Sequence, residues 1–296
     1  MRSGGRGLFE RLIVATDLSP ASYAVVRCVA WLRDFGARQC LLLQCLTLTD
    51  AASTAFSYDT GPLEAMLAEQ RDILTGQGYA VETRTVVGSP RRQIVTTAAE
   101  EGYALIVIGS QGRSLVAERV LGGVAYGVVN SATTPVLVVP VERNTDADGS
   151  TAPPSHCDFG KHVLFATDFS EMADHAFGYL RQLVAHGARR VTLVHVQDRI
   201  ALEKHLHARL DEFDTIDIAR LEDLKNALLE HGEPRVDIEV PYGVPHQEIS
   251  RLIRERDVQL ALMGSQGRGF VGEIVLGSVS HNVVRSSMAP VLLTRR

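Results

Sequence analysis

The feature that most constrains the fold is that the sequence is written twice. Arg11–Ser19 (RLIVATDLS) returns as His162–Ser170 (HVLFATDFS), and Ile106–Arg113 (IVIGSQGR) returns as Ala261–Arg268 (ALMGSQGR). Ser131–Val138 (SATTPVLV) returns as Ser286–Leu293 (SSMAPVLL). The first block recurs at an offset of 151 residues and the other two at 155, so the second copy carries a net insertion of four residues in its first half. Three blocks in one order over the whole chain indicate two homologous domains. Between them lies a stretch rich in Asn, Asp, Gly, Ser and Thr with the pair Pro153-Pro154, a linker composition. The division is therefore a short disordered lead-in over residues 1–8, a first domain over 9–142, a linker over 143–160 and a second domain over 161–296.

Within each copy, apolar runs alternate with helical patterns. In the second, strands are expected near 162–167, 190–197, 235–241, 258–264 and 290–294. Met172, Ala173, Ala176, Phe177, Leu180, Leu183 and Val184 recur at three and four, the spacing of an amphipathic helix. Further helices are expected near 200–231, 246–256 and 272–287. Ser19-Pro20 reads as an N-cap with proline at the first helical position, and Ser170 as the matching cap. Leu12–Ala15, Leu41–Leu43 and Ile106–Ile108 are continuously apolar, which suits parallel strands covered on both faces. The class is α/β, with two tandem open parallel five-stranded sheets and helices on both faces. Ligands of such sheets sit beyond the carboxyl ends of the strands, where the strand order reverses.

Composition narrows the function. Apolar residues make up 45% and charged residues 22%, with a net charge of −5 and no basic block, so no electrostatic surface for nucleic acid is evident. The longest apolar runs are too short to cross a bilayer, and the lead-in lacks the apolar core of a signal peptide. Cys28, Cys40, Cys45 and Cys157 form no C-x-x-C pair, and a reducing cytoplasm suits them; Cys157, in the linker, is expected as an exposed thiol.

The chemistry-bearing residues cluster at the strand ends. Strand four of the second copy runs into Gly264-Ser-Gln-Gly267, then nine residues, then Gly277-Ser278. Glycines let backbone N–H groups approach an anion, and Ser278 adds a hydroxyl near a helix N-terminus. The plainer reading is a tight strand-to-helix turn. Asp168 follows strand one, where it is either a ligand group or the cap of the next helix, a task Ser170 serves equally well. The first copy keeps Asp17, Gly109, Gly112 and Gly122 at the same nine-residue gap, with Gly123 in place of the serine.

This pattern, G-x2-G-x9-G-[S/T] with an acid after strand one and a final P-V-L-V strand, resembles ATP-binding universal stress proteins, once per copy. The resemblance implies a Rossmann-like sheet of the adenine nucleotide alpha hydrolase type, with ATP, with or without magnesium, across the strand ends. It implies that Asp168 meets the adenosine part, that Val196 packs by the adenine, and that Gly264, Gly267, Gly277 and Ser278 receive the phosphates. Cys45 stands at the position of Val196, and the first copy, lacking the serine hydroxyl, is the weaker nucleotide site. It also implies pairing of the two copies through their last strands as an intrachain pseudo-dimer, with a homodimer as a further option. Arg113 and Arg268 are either phosphate contacts or solvated surface residues. His246, with Arg91 as its counterpart, opens the third helix near the site.

No P-loop, no G-x-G-x-x-G after strand one and no nucleophile–base set is present. Catalytic and metal-ligating residues are accordingly not assigned. The expectation is a cytoplasmic ATP-binding stress-response sensor or regulator. The competing readings are an interaction scaffold without nucleotide and a slow ATPase.

Overall fold

A computed structural model describes residues 7–49, 60–112, 121–141, 157–198, 210–267 and 276–295. The chain divides into two compact units, Met1–Ser155 and His156–Arg296.

In the first unit, β1 (Arg11–Thr16), α1 (Pro20–Cys28), β2 (Gln39–Leu46), α2 (Gly61–Gly76) and β3 (Ala80–Val87) are followed by α3 (Pro90–Glu100), β4 (Leu105–Gly109), α4 (Gly123–Ser131) and β5 (Val136–Val139). A 3-10 turn, Val29–Arg33, extends α1. The strand order is β3-β2-β1-β4-β5, and the pairs β1–β2, β1–β4, β2–β3 and β4–β5 are all parallel. Leu12, Ile13 and Val14 on β1 are buried on both faces, as their unbroken apolar run requires. The edge strand β3 alternates between half-buried and exposed positions.

The second unit repeats the plan with β6 (Val163–Ala166), α5 (Glu171–Ala185), β7 (Arg190–Val194), β8 (Gln197–Asp198), α6 (Leu210–Leu229), β9 (Arg235–Glu239), β10 (Tyr242–Gly243), α7 (Pro245–Glu255), β11 (Leu260–Gly264), α8 (Ser278–Ser286) and β12 (Val291–Thr294). Its order is β9-β7-β6-β11-β12, again with parallel pairs. The expected amphipathic helix is α5, which buries Ala176, Phe177, Leu180 and Leu183.

The strand expected over 190–197 stops at Val194. His195 N donates to Glu239 O and Gln197 N to Pro241 O, and β8 then pairs with β10 as a separate two-stranded ribbon. The polar helix expected from about 200 is described from Leu210, its earlier part lying outside the described residues. Likewise α8 begins at Ser278, and the earlier part of the expected 272–287 helix is outside them. Of the expected lead-in, residues 1–6 lie outside the described residues; Leu8 is buried, and Glu10 N donates to Gly7 O. Cys157, expected as an exposed thiol, is neither exposed nor a free thiol: it is buried and disulfide-bonded, nearby Phe159 is fully buried, and Arg189 N donates to Gly160 O.

Candidate functional site

In both units the order reverses between the first and fourth strands, and the two sequence motifs meet there. Thr16 ends β1. Its Oγ1 accepts from Leu18 N at 3.0 Å, and Asp17 Oδ1 accepts from Ser19 N at 3.0 Å and from Ser19 Oγ at 2.5 Å. The second copy builds the same turn: Phe169 N donates to Thr167 Oγ1 at 2.9 Å, and Ser170 N and Oγ donate to Asp168 Oδ1 at 3.1 and 2.6 Å. Leu18 and Phe169 occupy the left-handed region at φ 60° and 57°. A bulky side chain there costs about 1–3 kcal/mol, so the turn persists because its hydrogen bonds over-determine it.

This geometry shows which residue caps the helix. Ser170 Oγ accepts from Ala173 N at 3.3 Å and caps α5, while Asp168 organises the turn ahead of the helix. Ser19 occupies the N-cap position of α1 without a side-chain cap bond, and its hydroxyl donates to Asp17. The other carboxylate oxygen faces the glycine loop. A Cβ on Gly267 would stand 2.6 Å from Asp168 Oδ2, and one on Gly112 would meet Asp17 Oδ2 in the same way.

The three glycines of each copy differ in what they touch. Gly264 lies against Met172 of α5, where a Cβ would stand 2.7 Å from Met172 Cγ, and Gly109 lies against Val25 of α1. These first glycines let strand and helix pack closely. The third glycines fold back on the first pair: Gly122 N donates to Ser110 O and Gly277 N to Ser265 O, each at 2.8 Å. Ser278 is the exposed first residue of α8, after Gly277 at the N-cap. Its counterpart Gly123 has open space where a side chain would begin. The nine-residue gaps include residues 113–120 and 268–275, outside the described residues, and with them Arg113 and Arg268.

In the first copy these groups bound a cavity of about 290 Å³. It is lined by the apolar side chains of Val25, Leu43, Pro90 and Ile94 and by Cys45, together with Asp17 and the Ser110–Gly112 and Gly122–Ala125 segments. That second segment is the start of α4, whose first-turn N–H groups lack intrahelical acceptors and whose dipole favours an anion. Burial pushes the Cys45 thiol up to about 11, so at neutral pH it is an uncharged, weakly polar part of the wall. Val196, its counterpart, is half-buried just beyond β7. His246 is half-buried in the first turn of α7. Arg91 is turned onto α4, where its Nε donates to Ser131 Oγ at 2.9 Å and its stem lies over Gly127.

Sequence reading missed the layer behind the first turn. Thr16 Oγ1 donates to Gln70 Oε1 at 2.7 Å, Gln70 Nε2 donates to Ser22 Oγ at 2.9 Å, and Ser22 Oγ donates to Ser19 O at 2.7 Å. Gln70, on α2, is fully buried. Its signal was a polar residue four positions before buried Leu74, on the apolar stripe of that helix. Among the described residues no group of three His, Cys, Asp or Glu side chains can hold a metal, and no helix is long and apolar enough to cross a membrane.

Known proteins share this plan. The model of the universal stress protein family matches residues 8–140 and again residues 160–295. Universal stress protein MJ0577 of Methanocaldococcus jannaschii is 32% identical over 155 residues, which cover 46% of this chain and 95% of that protein, so this relative is about one copy long. Universal stress protein Rv1996 of Mycobacterium tuberculosis is 30% identical over 219 residues, covering 69% of this chain and 63% of its own length. Among solved structures, a universal stress protein from Archaeoglobus fulgidus aligns with a TM-score of 0.71 at 23% identity, covering 99% of this chain and 98% of its own, a likeness of fold. The chain belongs to the universal stress protein family and carries one family domain in each copy.

Proposed function

We propose that this protein is a cytoplasmic stress-response protein that binds ATP at the strand ends and acts as a sensor or regulator through its nucleotide state. The observation that carries the reading is the first-copy cavity, lined both by apolar side chains and by an acid, a glycine turn and a helix start. An adenine needs the first surface, a ribose the acid, and phosphates the backbone donors and the helix dipole. The second copy brings Asp168, Gly267, Gly277 and Ser278 to the matching places, and its serine adds a donor.

The described lining fits a nucleotide better than it fits a resident metal. Asp17 is the one carboxylate among the lining residues, and its Oδ1 is already engaged by Ser19. Magnesium, if it accompanies ATP, would be held chiefly by phosphate oxygens and water. The proposal includes pairing of the two copies through their last strands, as expected from the sequence. Mass spectrometry of freshly purified, denatured protein tests the nucleotide reading. Release of adenine nucleotide in stoichiometric amount supports it; protein that carries none and takes up none from ATP added in excess speaks for a scaffold.

A further inference from the structure

Gln70 of α2 is fully buried on the apolar stripe that carries Leu74, a place where an uncompensated amide is costly. Both ends of its amide are engaged by residues of the cavity. Thr16 Oγ1 donates to Gln70 Oε1 at 2.7 Å, Gln70 Nε2 donates to Ser22 Oγ at 2.9 Å, and Thr16 and Ser22 both line the first-copy cavity. The backbone fixes the direction of this chain. Ser19 O only accepts, so the single hydroxyl hydrogen of Ser22 goes to it, at 2.7 Å. Ser22 Oγ must then accept from Gln70 Nε2, which leaves Gln70 Oε1 to take the hydrogen of Thr16. With its hydrogen so directed, Thr16 Oγ1 keeps its lone pairs for Leu18 N, at 3.0 Å, and Leu18 is the left-handed residue between Asp17 and Ser19. One amide thus ties both ends of the turn that carries Asp17, its entry at Thr16 and its exit at Ser19 O, to α2.

The second copy holds its turn by other means. Ala173 stands where Ser22 does, and the fully buried residues of α6 are Leu221 and Leu228. There His195 Nδ1 lies 2.8 Å from Thr167 O, and Ser170 Oγ caps α5 through Ala173 N. The first copy has neither tie. Gln44, at the position of His195, gives its Oε1 to Thr85 Oγ1, and its Nε2 has no hydrogen-bond partner among the described residues. Ser19 makes no side-chain cap bond.

We propose that Gln70 is a positioning residue of the first copy: from behind the cavity it directs the Thr16 and Ser22 hydroxyls and so holds the Thr16–Ser19 turn, and with it Asp17, in its binding shape. Without the amide, the Thr16 hydrogen and a Ser22 lone pair lose their partners, and the left-handed Leu18 loses the oriented acceptor that holds it. Where that turn receives nucleotide, a consequence that rests on the nucleotide reading, affinity falls in the first copy alone.

The test uses the full chain and two variants. Gln70→Leu keeps the stripe apolar and of similar size, and Leu74→Val loosens the same stripe without touching the layer. Hydrogen exchange followed by NMR reads the turn without nucleotide. The Leu18 amide should exchange about tenfold faster in Gln70→Leu, while the Phe169 amide of the second copy is unchanged. Leu74→Val should lower the melting temperature and leave both amides as they were. If Gln70→Leu folds poorly, Ser22→Ala, the second copy's own residue, breaks the chain at its other end and should show the same change at Leu18. Unchanged Leu18 exchange in the folded variant, or an equal rise in Leu74→Val, would overturn the proposal and leave the layer a role in stability alone. In the second arm, a two-site titration with ATP should show about a tenfold loss at the first copy of Gln70→Leu and none at the second. Faster Leu18 exchange in a chain that binds no ATP refutes the nucleotide reading and leaves the positioning of the turn standing. Undiminished first-copy binding despite the faster exchange refutes the coupling of the turn to the site.

Discussion

Asp168 Oδ2 lies 2.6 Å from the point where a Cβ on Gly267 would stand, and Asp17 meets Gly112 in the same way. The second glycine of each pair therefore leaves room for the acid, whereas the sequence alone suggested that it leaves room for a phosphate. Because Ser170 pins the Asp168 carboxylate through Oδ1, an added methyl forces the acid or the loop aside. Gly267→Ala should weaken ATP binding in the second copy about tenfold, the effect of misplacing one charge-assisted hydrogen bond of ~1.5–3 kcal/mol. Gly267 is exposed, so the melting temperature should change little. Calorimetry with ATP beside a thermal melt checks both, and Gly123→Ala, which meets open space, is the control.

Position 123 against 278 separates the two copies chemically. Gly123→Ser has room for its side chain at the start of α4 and should raise first-copy affinity for ATP by about tenfold, with Ser278→Gly lowering that of the second copy by a similar factor. A two-site titration of the full chain reads both. If neither substitution moves either site, the hydroxyl is not a phosphate donor.

Cys45 lines the cavity, and burial pushes its thiol up to about 11. Alkylation by iodoacetamide should be slow at neutral pH and rise with each added unit of pH as thiolate forms. ATP should protect it. Peptide mapping after timed alkylation, with and without ATP, measures both, and rapid labelling unaffected by ATP would place the nucleotide elsewhere.

His162, at the opposite end of the second unit's sheet, is buried with Nδ1 2.9 Å from Arg256 O and Nε2 2.9 Å from Thr192 Oγ1. Burial is the main cause that holds its titration below the ordinary histidine range. The unfolded chain then takes up this proton first, near about pH 6.5, so stability is full above that value and is lost as pH falls toward the folded-state value. Urea unfolding of the native chain from neutral to mildly acid pH should show this loss, and His162→Gln should show a smaller one. Equal slopes would remove His162 as the cause.

The repeat made the two tandem copies and their parallel sheets readable in advance, because strand periodicity is a local property. What stayed hidden depends on residues far apart in sequence. Gln70 reaches Thr16 and Ser22 across about fifty residues, and nothing in its own helix names those partners. The left-handed Leu18 and Phe169 run against local preference, since bulky residues avoid that conformation and are held there by the turn's hydrogen bonds. His195 read as part of a strand; the strand ends one residue earlier, at Val194, and the His195 ring bonds to Thr167 O across 28 residues.

The most direct measurement is an isothermal titration of the full chain with ATP, repeated on Asp17→Asn, Asp168→Asn and the double variant. Saturable binding to the native chain should weaken at one site in each single variant and be lost in the double variant, with the fold intact by circular dichroism. No binding to the native chain, or undiminished binding to a folded double variant, would contradict a nucleotide site built on these two acids.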